Sequence, residues 1–519
     1  MVTFRVLVFC FCLLTCGVSA RELTSKEKVL FDEAAANGKL VQEGYKRSLD
    51  FVNGWMKSAD FKEPVVTKLI GRTVGGNLWQ PEHAAADNYA FMVLTTSFTD
   101  RSMYDGVMLE MLENEKRYAS DGIMPVDYRI DTDTKVAESD EGKIFGASEY
   151  VKDGLMAITE WLGVDNSWYG RMVEIQDEIW TNYATLKTSS GEAMVSNNVE
   201  INGEQLQMLP RLYWITGDKK YLDWAVRLGD HYLLGDNHPT DDFKKLKLRD
   251  HGNEIIGGLS ELYFAMKHVD GAKAAEYKPH IHRMLDRTLE VGRNGHGLFY
   301  NGVNPQTGER TGEGLADNFG YVLNSFYTVY LLDGKKAYRD AVLKVLGNLG
   351  PYYAHDPFGE PMDGHADAIE GALNLYNREP VESAVQWMDD MMGDLWAMQK
   401  KNGVIGGGHP DGNFARTTIM YCLWKSKGVT ISPWSKDVRY GAVEKNGKLY
   451  LAVESSSNWK GKLVFDKPRH SEVMNMPMDY PRINQFPEWF VATTGKKYVV
   501  NDLSLIHISE PTRPLYISY

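Results

Sequence analysis

Cysteine is scarce in this chain of 519 residues, and its distribution leaves no pair for a disulfide bond. Three of the four cysteines, Cys10, Cys12 and Cys16, lie in an apolar N-terminal segment, and the fourth is Cys422. If that segment is removed, the single remaining thiol excludes an intramolecular disulfide and a cysteine-based metal cluster. A chain of this length must therefore be stabilised by its hydrophobic core.

The N-terminal segment has the pattern of a signal peptide. Arg5 precedes the apolar run VLVFCFCLL, and Val18-Ser19-Ala20 supplies the small residues of a cleavage site. The run is too short to cross a bilayer. We expect residues 1–20 to be a signal peptide and the mature protein to be secreted, into the periplasm or the extracellular space.

Positive charge is also in deficit, because 57 Lys and Arg residues face 70 Asp and Glu residues, for a net charge of −13. Nucleic-acid binding requires a concentrated basic surface, so a nucleic-acid partner is not expected. The sequence contains no DNA-binding motif, and we expect no membrane span. No pattern in the sequence specifies an oligomeric state.

What the sequence does contain is a recurring unit: a polar, Gly-rich stretch, an apolar helix, a tight turn and a second helix. In the clearest copy, SNNVEINGE leads into QLQMLPRLYWI, then the turn TGDKK, then YLDWAVRLGDHYLL. Within the last segment, Leu222, Ala225, Val226 and Gly229 have the i, i+3, i+4, i+7 spacing of one helical face. Each unit is therefore predicted to be a helical hairpin.

Further copies begin at DHGNEIIGG, GLADNFGY and GHADAIEG, and partial copies begin at AAADNYAF and GGHPDGNFARTT. Asn253, Asn318 and Asp367 occupy matching places, 65 and 49 residues apart. This spacing is too irregular for a strict solenoid, but it indicates one supersecondary unit used repeatedly.

A helical hairpin cannot bury its apolar face alone, so successive hairpins must stack as an open superhelix or a closed ring. The polar stretch always precedes the more apolar helix, which places all polar stretches at one end of the inner helices. This order, with the phrase LYWITGDKKYLDWA, resembles the (α/α) toroid shared by many carbohydrate-active enzymes, including glycoside hydrolases and polysaccharide lyases. The resemblance covers roughly residues 40–430 and implies a fold, not a reaction.

The spacing of apolar residues changes near Val438 from a helical to a strand pattern. VRYGAVEKNGKLYLAVES has the alternating pattern of two strands on either side of Asn446-Gly447, a pair typical of hairpin turns. GKLVFD follows as another short strand. We therefore expect a mainly α protein with an (α/α) toroid over residues 21–432 and a small, β-sandwich-like domain over residues 433–503.

The last residues differ in character from the rest. SLIHISEPTR looks like the translation of a sequencing adapter, and it follows YVVND abruptly. We expect residues 504–519 to be an artefact and the β-rich domain to be truncated.

Candidate functional residues lie in the polar stretches, because helix N-termini present free backbone N–H groups and the positive end of the helix dipole. Asp and Asn also cap helices, which gives each candidate a structural alternative. DHGNE supplies an acid, an imidazole, an amide and a second acid where one cap would suffice, which favours a functional role for His251 or Glu254. The residues predicted to bind substrate are Asp87, Asn88, Asn197, Asn198, Asn253, Asn318, His365, His409, Asp411 and Arg416.

Glycosidic hydrolysis requires two carboxyl groups across the scissile bond, one protonated and one ionised. Glu254 and Asp317 are the first candidates, followed by Glu200 and Asp367, because each lies where an apolar inner helix begins and burial raises a carboxyl pKa. His251 completes the predicted catalytic set. The expected function is cleavage of a poly- or oligosaccharide by a pair of carboxylates.

Elimination by a polysaccharide lyase is the alternative. It requires a His or Tyr base and an Asn, Arg or cation to neutralise a uronic carboxylate, roles open to His251, Asn197, Asn198, Arg416 and several tyrosines. The candidate stretches carry more carboxylates than basic residues and would repel a polyanion, which favours hydrolysis. A third possibility is a secreted protein that binds glycan without catalysis.

Two short H-x-D motifs raise the question of a metal. His365-Ala-Asp367 and His409-Pro-Asp411 each offer two ligands, but such pairs are common and nonspecific. We predict no metal and no cofactor.

Overall fold

The computed structural model describes residues 23–61, 65–353, 361–405, 412–493, 498–499, 501–502 and 514–518. The predicted signal peptide, His409 and Asp411 lie outside these residues.

Helices make up most of the described chain. They are α1 Ser25–Met56, α2 Ala90–Thr99, α3 Arg101–Met103, α4 Leu109–Tyr118, α5 Asp140–Glu149, α6 Met156–Leu162, α7 Ser167–Asn182, α8 Val199–Thr216, α9 Lys219–Leu233, α10 Glu254–Val269, α11 Gly271–Val291, α12 Phe319–Asp333, α13 Lys336–Tyr352, α14 Pro361–Arg378, α15 Glu382–Ala397, α16 Asn413–Lys425 and α17 Arg469–Glu472.

Several of these helices are continuous with less regular turns. A π-helical segment, Pro81–Tyr89, leads into α2, a second, Tyr104–Met108, joins α3 to α4, and a third, Tyr150–Leu155, joins α5 to α6. A 3₁₀ turn, Asp250–Asn253, leads into α10. Isolated π-helical turns are rare and occur frequently at functional sites.

The helical hairpins form a closed ring. The inner layer consists of α2, the continuous α5–α6 helix, α8, α10, α12, α14 and α16, each in contact with the next, and α16 closes the ring against α2. The outer layer contains α4, α7, α9, α11, α13 and α15, and α1 packs beside α16 as its outer partner. The described residues thus form an (α/α) toroid of six hairpins and a seventh helix pair, α16 with α1, which confirms the predicted fold.

Glycine allows the inner helices to pack closely. A Cβ atom on Gly371 of α14 would lie 2.7 Å from the Cα atom of Gly320 on α12. A Cβ atom on Gly203 of α8 would lie 2.6 Å from the backbone nitrogen of Ile255 on α10. At these points the backbones of neighbouring inner helices touch, and the ring is closely packed.

Strands are short except near the C-terminus. They are β1 Leu78–Trp79, β2 Ser120–Asp121, β3 Met124–Pro125, β4 Tyr128–Arg129, β5 Thr134–Lys135, β6 Leu186–Lys187, β7 Ala193–Met194, β8 Leu246–Lys247, β9 Gly302–Val303, β10 Thr430–Ser432, β11 Val438–Lys445, β12 Lys448–Ser455, β13 Lys462–Val464, β14 Asn501–Asp502 and β15 Pro514–Ser518.

The predicted hairpin is confirmed at β11 and β12. The pair is antiparallel, from Val438 opposite Ser455 to Lys445 opposite Lys448. This register leaves Asn446-Gly447 as a two-residue turn in which both φ angles are positive, 53° and 70°. The four-stranded sheet has the order β11-β12-β15-β14, and its first two strands pack on α1.

After β13, the chain crosses the end of the ring where the inner helices terminate. We call residues 466–490 the closing segment. Its Tyr480 hydroxyl donates to Oε2 of Glu261 at 2.8 Å, and Arg482 donates to Oε1 of Glu160 at 2.6 Å. The segment therefore covers one end of the toroid, and the other end holds the polar stretches.

Part of the predicted artefact forms a strand, because β15 pairs with β12 over five residues. Among the described helices, none combines the length and apolar character that a membrane span requires.

Candidate active site

A cavity of about 280 Å³ lies at the end of the ring where the inner helices begin. Six residues predicted from the sequence line it together: Asp87, His251, Glu254, Asn318, Asp367 and Arg416. The other lining residues are Arg72, Glu82, His83, Phe145, Glu149, Asp153, Asp250, Tyr321, Asp363, Asn413, Ile483 and Asn484.

A buried lysine lies beneath the cavity. Lys152, in the third π-helical segment, donates a short hydrogen bond to Oε1 of Glu254, and its side chain is 1% exposed. The same Nζ atom lies 3.1 Å from Oδ2 of Asp153 and 3.8 Å from Oε1 of Glu149. One ammonium group thus faces three carboxyl groups, which offsets part of the cost of burying them.

His251 contributes a second positive charge. Its Nδ1 atom lies 2.7 Å from Oε1 of Glu149 and 3.3 Å from Oε1 of Glu254. Burial lowers the pKa of the imidazole, but these two carboxylates outweigh burial and raise the pKa well above its usual value. Burial alone would raise the pKa of the Glu149 carboxyl. The positive charges of His251 and Lys152 outweigh burial and hold this pKa well below its usual value. His251 is therefore protonated and Glu149 ionised near neutral pH.

The pKa of Asp87, on the π-helical segment before α2, shifts in the direction opposite to that of Glu149. The Asp87 side chain is 23% exposed. Burial, with a further contribution from the Glu149 carboxylate, raises its pKa to about 7. In the same segment, burial raises the pKa of Glu82 to about 7 and lowers that of His83. Near neutral pH, a substantial fraction of Asp87 is a carboxylic acid.

An arginine organises the opposite wall. Nη2 of Arg416 donates to Oδ1 of Asp367 at 2.7 Å and lies 3.0 Å from Oε2 of Glu370. The Tyr321 hydroxyl lies 2.9 Å from Oδ1 of Asp367 and 2.7 Å from Oε2 of Glu370, within donating distance of both. Burial raises the pKa of both carboxyls despite the attraction of Arg416.

Two of the predicted catalytic acids are ion-paired and are not among the described residues that line the cavity. Asp317 accepts from Nε of Arg249 at 2.9 Å and from the backbone N–H of Asn318. Glu200 accepts a short hydrogen bond from Lys247. Each acid lies at the start of an inner helix, as expected, but pairs with a neighbouring cation.

Other predicted binding residues have structural roles. Asn198 caps α8 by accepting a hydrogen bond from the backbone N–H of Glu200 at 2.9 Å. Asn88 and Asn253 each donate to a backbone carbonyl oxygen within their own turn. Two more predicted residues are absent from the described lining: Asn197, which is exposed, and His365, which is buried.

Sequence reasoning missed the charged residues inside the α5–α6 helix. Glu149, Lys152 and Asp153 interrupt an apolar helical pattern in ASEYVKDGLMAI, and that interruption is the signal that marks them. Asn484 was also missed, because it lies more than 50 residues beyond the last helix of the ring. No local pattern connects it to the toroid.

Two clusters among the described residues have ligand atoms close enough to hold a metal ion: one beside the cavity, and one in the closing segment formed by His470, Asp479 and Glu488. Glu149, Glu204, His251 and Glu254 each offer an atom within 4.8 Å of the others. Carboxylate oxygens and imidazole are ligands for several divalent metals. In the described structure, however, Lys152 and His251 already supply positive charge to these carboxylates.

No protein-family model matches the sequence, and a search of curated proteins finds no match. Solved structures with a similar fold include an α-1,6-mannanase of glycoside hydrolase family 76 from Salegentibacter sp. HEL1_6, at 12% identity and a TM-score of 0.41, covering 60% of this chain and 96% of that chain. A family 76 mannosidase from Bacteroides thetaiotaomicron VPI-5482 has 12% identity and a TM-score of 0.41, covering 74% of this chain and 99% of that chain.

An unsaturated glucuronyl hydrolase specific for heparin has 13% identity and a TM-score of 0.40, covering 56% of this chain and 87% of that chain. These similarities are too distant to assign a reaction to this chain, whose chemistry must be derived from its own residues.

Proposed function

We propose that this protein is a carbohydrate-active enzyme that hydrolyses a glycosidic bond in the cavity, with Asp87 as general acid and Glu149 as general base. The observation that carries the proposal is a pair of interacting carboxyls with opposite pKa shifts. The pKa of Asp87 is raised to about 7, and that of Glu149 is held well below its usual value. Carboxyls whose environments separate their pKa values in this way are suited to acid and base roles.

In the proposed step, the Asp87 carboxyl donates its proton to the glycosidic oxygen as the bond to the anomeric carbon breaks. A water molecule attacks that carbon, and the Glu149 carboxylate accepts the proton of the water. The products are a new reducing end and a free hydroxyl group, and no co-reactant other than water is needed.

His251 and Lys152 support this assignment because they keep Glu149 ionised. Glu254 is the first catalytic candidate predicted from the sequence. Its Oε1 atom accepts a hydrogen bond from Lys152 and lies 3.3 Å from Nδ1 of His251. We assign Glu254 the role of fixing these two cations beside Glu149. Both cations contact the same atom, Oε1 of Glu254, which suits this side chain to hold them in place.

The protonation of His251 argues against elimination with this residue as base, because a protonated imidazole cannot accept a proton. His83 is the better base for a lyase, since burial lowers its pKa and leaves the ring neutral. Arg72 also lines the cavity and lowers the pKa of His83 through its charge. Elimination by His83, with Arg72 neutralising a uronic carboxylate, is the second candidate function.

The test is to incubate the protein with neutral and uronic polysaccharides and to record both new reducing ends and the ultraviolet absorbance of unsaturated products. Hydrolysis gives reducing ends alone, whereas elimination gives both. On the substrate that is cleaved, Asp87→Asn should lower kcat by roughly 10²- to 10⁴-fold, the usual value of general acid catalysis. Substrate affinity should be retained, because the amide preserves the shape of the side chain.

Asp105→Asn is a matched control, since Asp105 lies in the same hairpin as Asp87 but is exposed and paired with Arg101. Its kcat should equal that of the wild type. If Asp87→Asn also turns over at the wild-type rate, Asp87 is not the acid. If His83→Ala alone abolishes formation of an unsaturated product, the protein is a lyase.

A further inference from the structure

The closing segment reaches the cavity from the closed end of the toroid. Ile483 and Asn484 line the cavity, although the rest of the segment covers the far ends of the inner helices. Its attachment is extensive: Arg378 of α14 donates to Asp479 at 2.6 Å, and Asn374 donates to the backbone carbonyl of Gln485 at 3.3 Å. A segment outside the helical ring therefore forms the floor of the site.

Asn484 connects two walls of the cavity. Its side-chain Nδ2 donates to Oδ1 of Asp153, the neighbour of Lys152, at 2.5 Å. Its Oδ1 accepts from Nη1 of Arg416 at 2.9 Å, and its backbone N–H donates to Oε1 of Glu370 at 2.7 Å. The residue is 4% exposed. One carboxamide thus bridges the wall formed by the α5–α6 helix and the wall formed by α14 and α16.

The backbone of Asn484 is adapted to this position. Its φ angle is +58°, in the left-handed region that asparagine tolerates better than most residues with a side chain. This conformation directs the carboxamide into the site while the backbone N–H faces Glu370. Burial of a polar side chain in such a conformation is costly unless its hydrogen bonds are made, and here they are.

We propose that Asn484 is a positioning residue, and that the closing segment completes the active site by fixing the Arg416–Asp367 wall relative to the Lys152–Asp153 wall. This inference rests on the proposed function for its effect on catalysis. The neutral carboxamide donates to one wall and accepts from the other. An aspartate could still accept from Arg416, but it would place a carboxyl group against Asp153.

The test compares Asn484→Gly with Asn475→Gly. Both asparagines lie in the closing segment with positive φ, +58° and +55°, so glycine keeps each backbone conformation. Asn475 donates to the backbone carbonyl of Ile215 at 3.3 Å and does not line the cavity. The two variants therefore each lose side-chain hydrogen bonds, but only Asn484→Gly loses contacts in the site.

We expect Asn484→Gly to lower kcat by roughly 10- to 100-fold, because small displacements of catalytic groups have effects of this size. Asn475→Gly should keep the wild-type kcat, and both variants should retain a cooperative thermal transition. Asn484→Asp should show a changed pH profile of kcat, since a new carboxyl faces Asp153. A purely structural role would lower Tm in both glycine variants without separating their kcat values.

A crystal structure of Asn484→Gly provides a readout that does not depend on the reaction. We expect the Arg416 guanidinium to be displaced relative to Asp153. If the wild type cleaves glycan but Asn484→Gly has an unchanged kcat and an unmoved Arg416, this inference is wrong and the proposed function stands. If the wild type cleaves no glycan, the proposed function fails, and the position of Arg416 still decides the positioning role.

Discussion

The two ends of the toroid both bury charged residues, but they satisfy them differently. At the closed end, Arg211 donates to both carboxylate oxygens of Glu261, at 2.8 and 2.6 Å, and Tyr480 donates to the same group. At the cavity end, Lys152 faces three carboxyl groups at once, and Oε2 of Glu254 has no hydrogen-bond partner among the described residues.

This difference indicates a structural role for the charged residues at the closed end and a chemical role for those at the cavity end. At the closed end, the Glu261 carboxylate accepts hydrogen bonds from both Arg211 and Tyr480, and this paired charge holds the closing segment in place. The crowded charges of the cavity shift one another's pKa values, as in Asp87 and Glu149, and such shifts are typical of functional sites. We therefore expect the charged residues at the cavity end to contribute less to the stability of the fold than those at the closed end.

The largest expected effect on stability comes from replacing a buried glutamate with glutamine at each end of the toroid. Glu261→Gln leaves the Arg211 guanidinium buried beside a neutral amide and should lower the free energy of unfolding by about 3–5 kcal/mol. Glu204→Gln at the cavity end should change it by less than about 1 kcal/mol, because burial and Glu149 raise the pKa of Glu204 well above its usual value and keep it uncharged.

Urea unfolding of both variants at pH 7 measures this contrast. Equal losses of stability would show that the two ends do not differ as described. A large loss in Glu204→Gln alone would indicate that Glu204 is ionised and that its charge is needed by Lys152 or His251.

A second prediction concerns pH. The pKa of Asp87 rises from 3.8 to about 7 on folding, so between pH 4 and 7 the folded protein binds a proton that the unfolded chain does not. Stability should therefore fall as pH rises through this window, with Asp87 contributing roughly 4 kcal/mol at about 1.36 kcal/mol per pKa unit.

Unfolding free energies of the wild type and Asp87→Asn at pH 5 and pH 8 test this expectation. The asparagine variant cannot titrate at this position, so its stability should decrease less between the two values. Glu82, whose pKa is also about 7, should leave a residual decrease in the variant. Parallel pH profiles would show that Asp87 is not perturbed by the site.

A smaller effect on stability is expected where two inner helices, α12 and α14, touch. Gly371→Ala places a methyl group 2.7 Å from the Cα atom of Gly320, and the overlap should cost about 1–3 kcal/mol. Gly347→Ala is the matched helical control, because a Cβ there meets no atom within 4 Å; it should stabilise the protein by about 0.4–1 kcal/mol. Thermal melting of both variants should give Tm shifts of opposite sign.

The smallest effect concerns the chain beyond the closing segment. Unlike that segment, residues 504–519 are predicted to be foreign to the protein, and their deletion should change stability by less than about 0.5 kcal/mol. Activity should also be unchanged. Because β15 pairs with β12, a clear drop in Tm on deletion would instead show that the strand belongs to the native sheet.

The helical hairpins could be predicted from the sequence because their signals are local. Asn198 caps α8, Gly217 follows the same helix with a positive φ of 72°, and Asp218 caps α9, each within a few residues of the boundary it sets. The order of polar stretch and apolar helix also predicted that Asp87, His251 and Asp367 would share one end of the ring. These features depend on helix periodicity and capping, which the sequence carries directly.

Only the tertiary structure decided which charges meet. Asp87 and Glu149 lie on different hairpins, and Asn484 reaches the cavity from the opposite end, so no sequence spacing connects them. Asp317, Glu200 and Asp367 have the same local signals, and each pairs with a cation. Of these three acids, only Asp367 lines the cavity. Protonation depends on burial and on charges brought close by ring closure, and these are properties of the packed molecule, not of any segment.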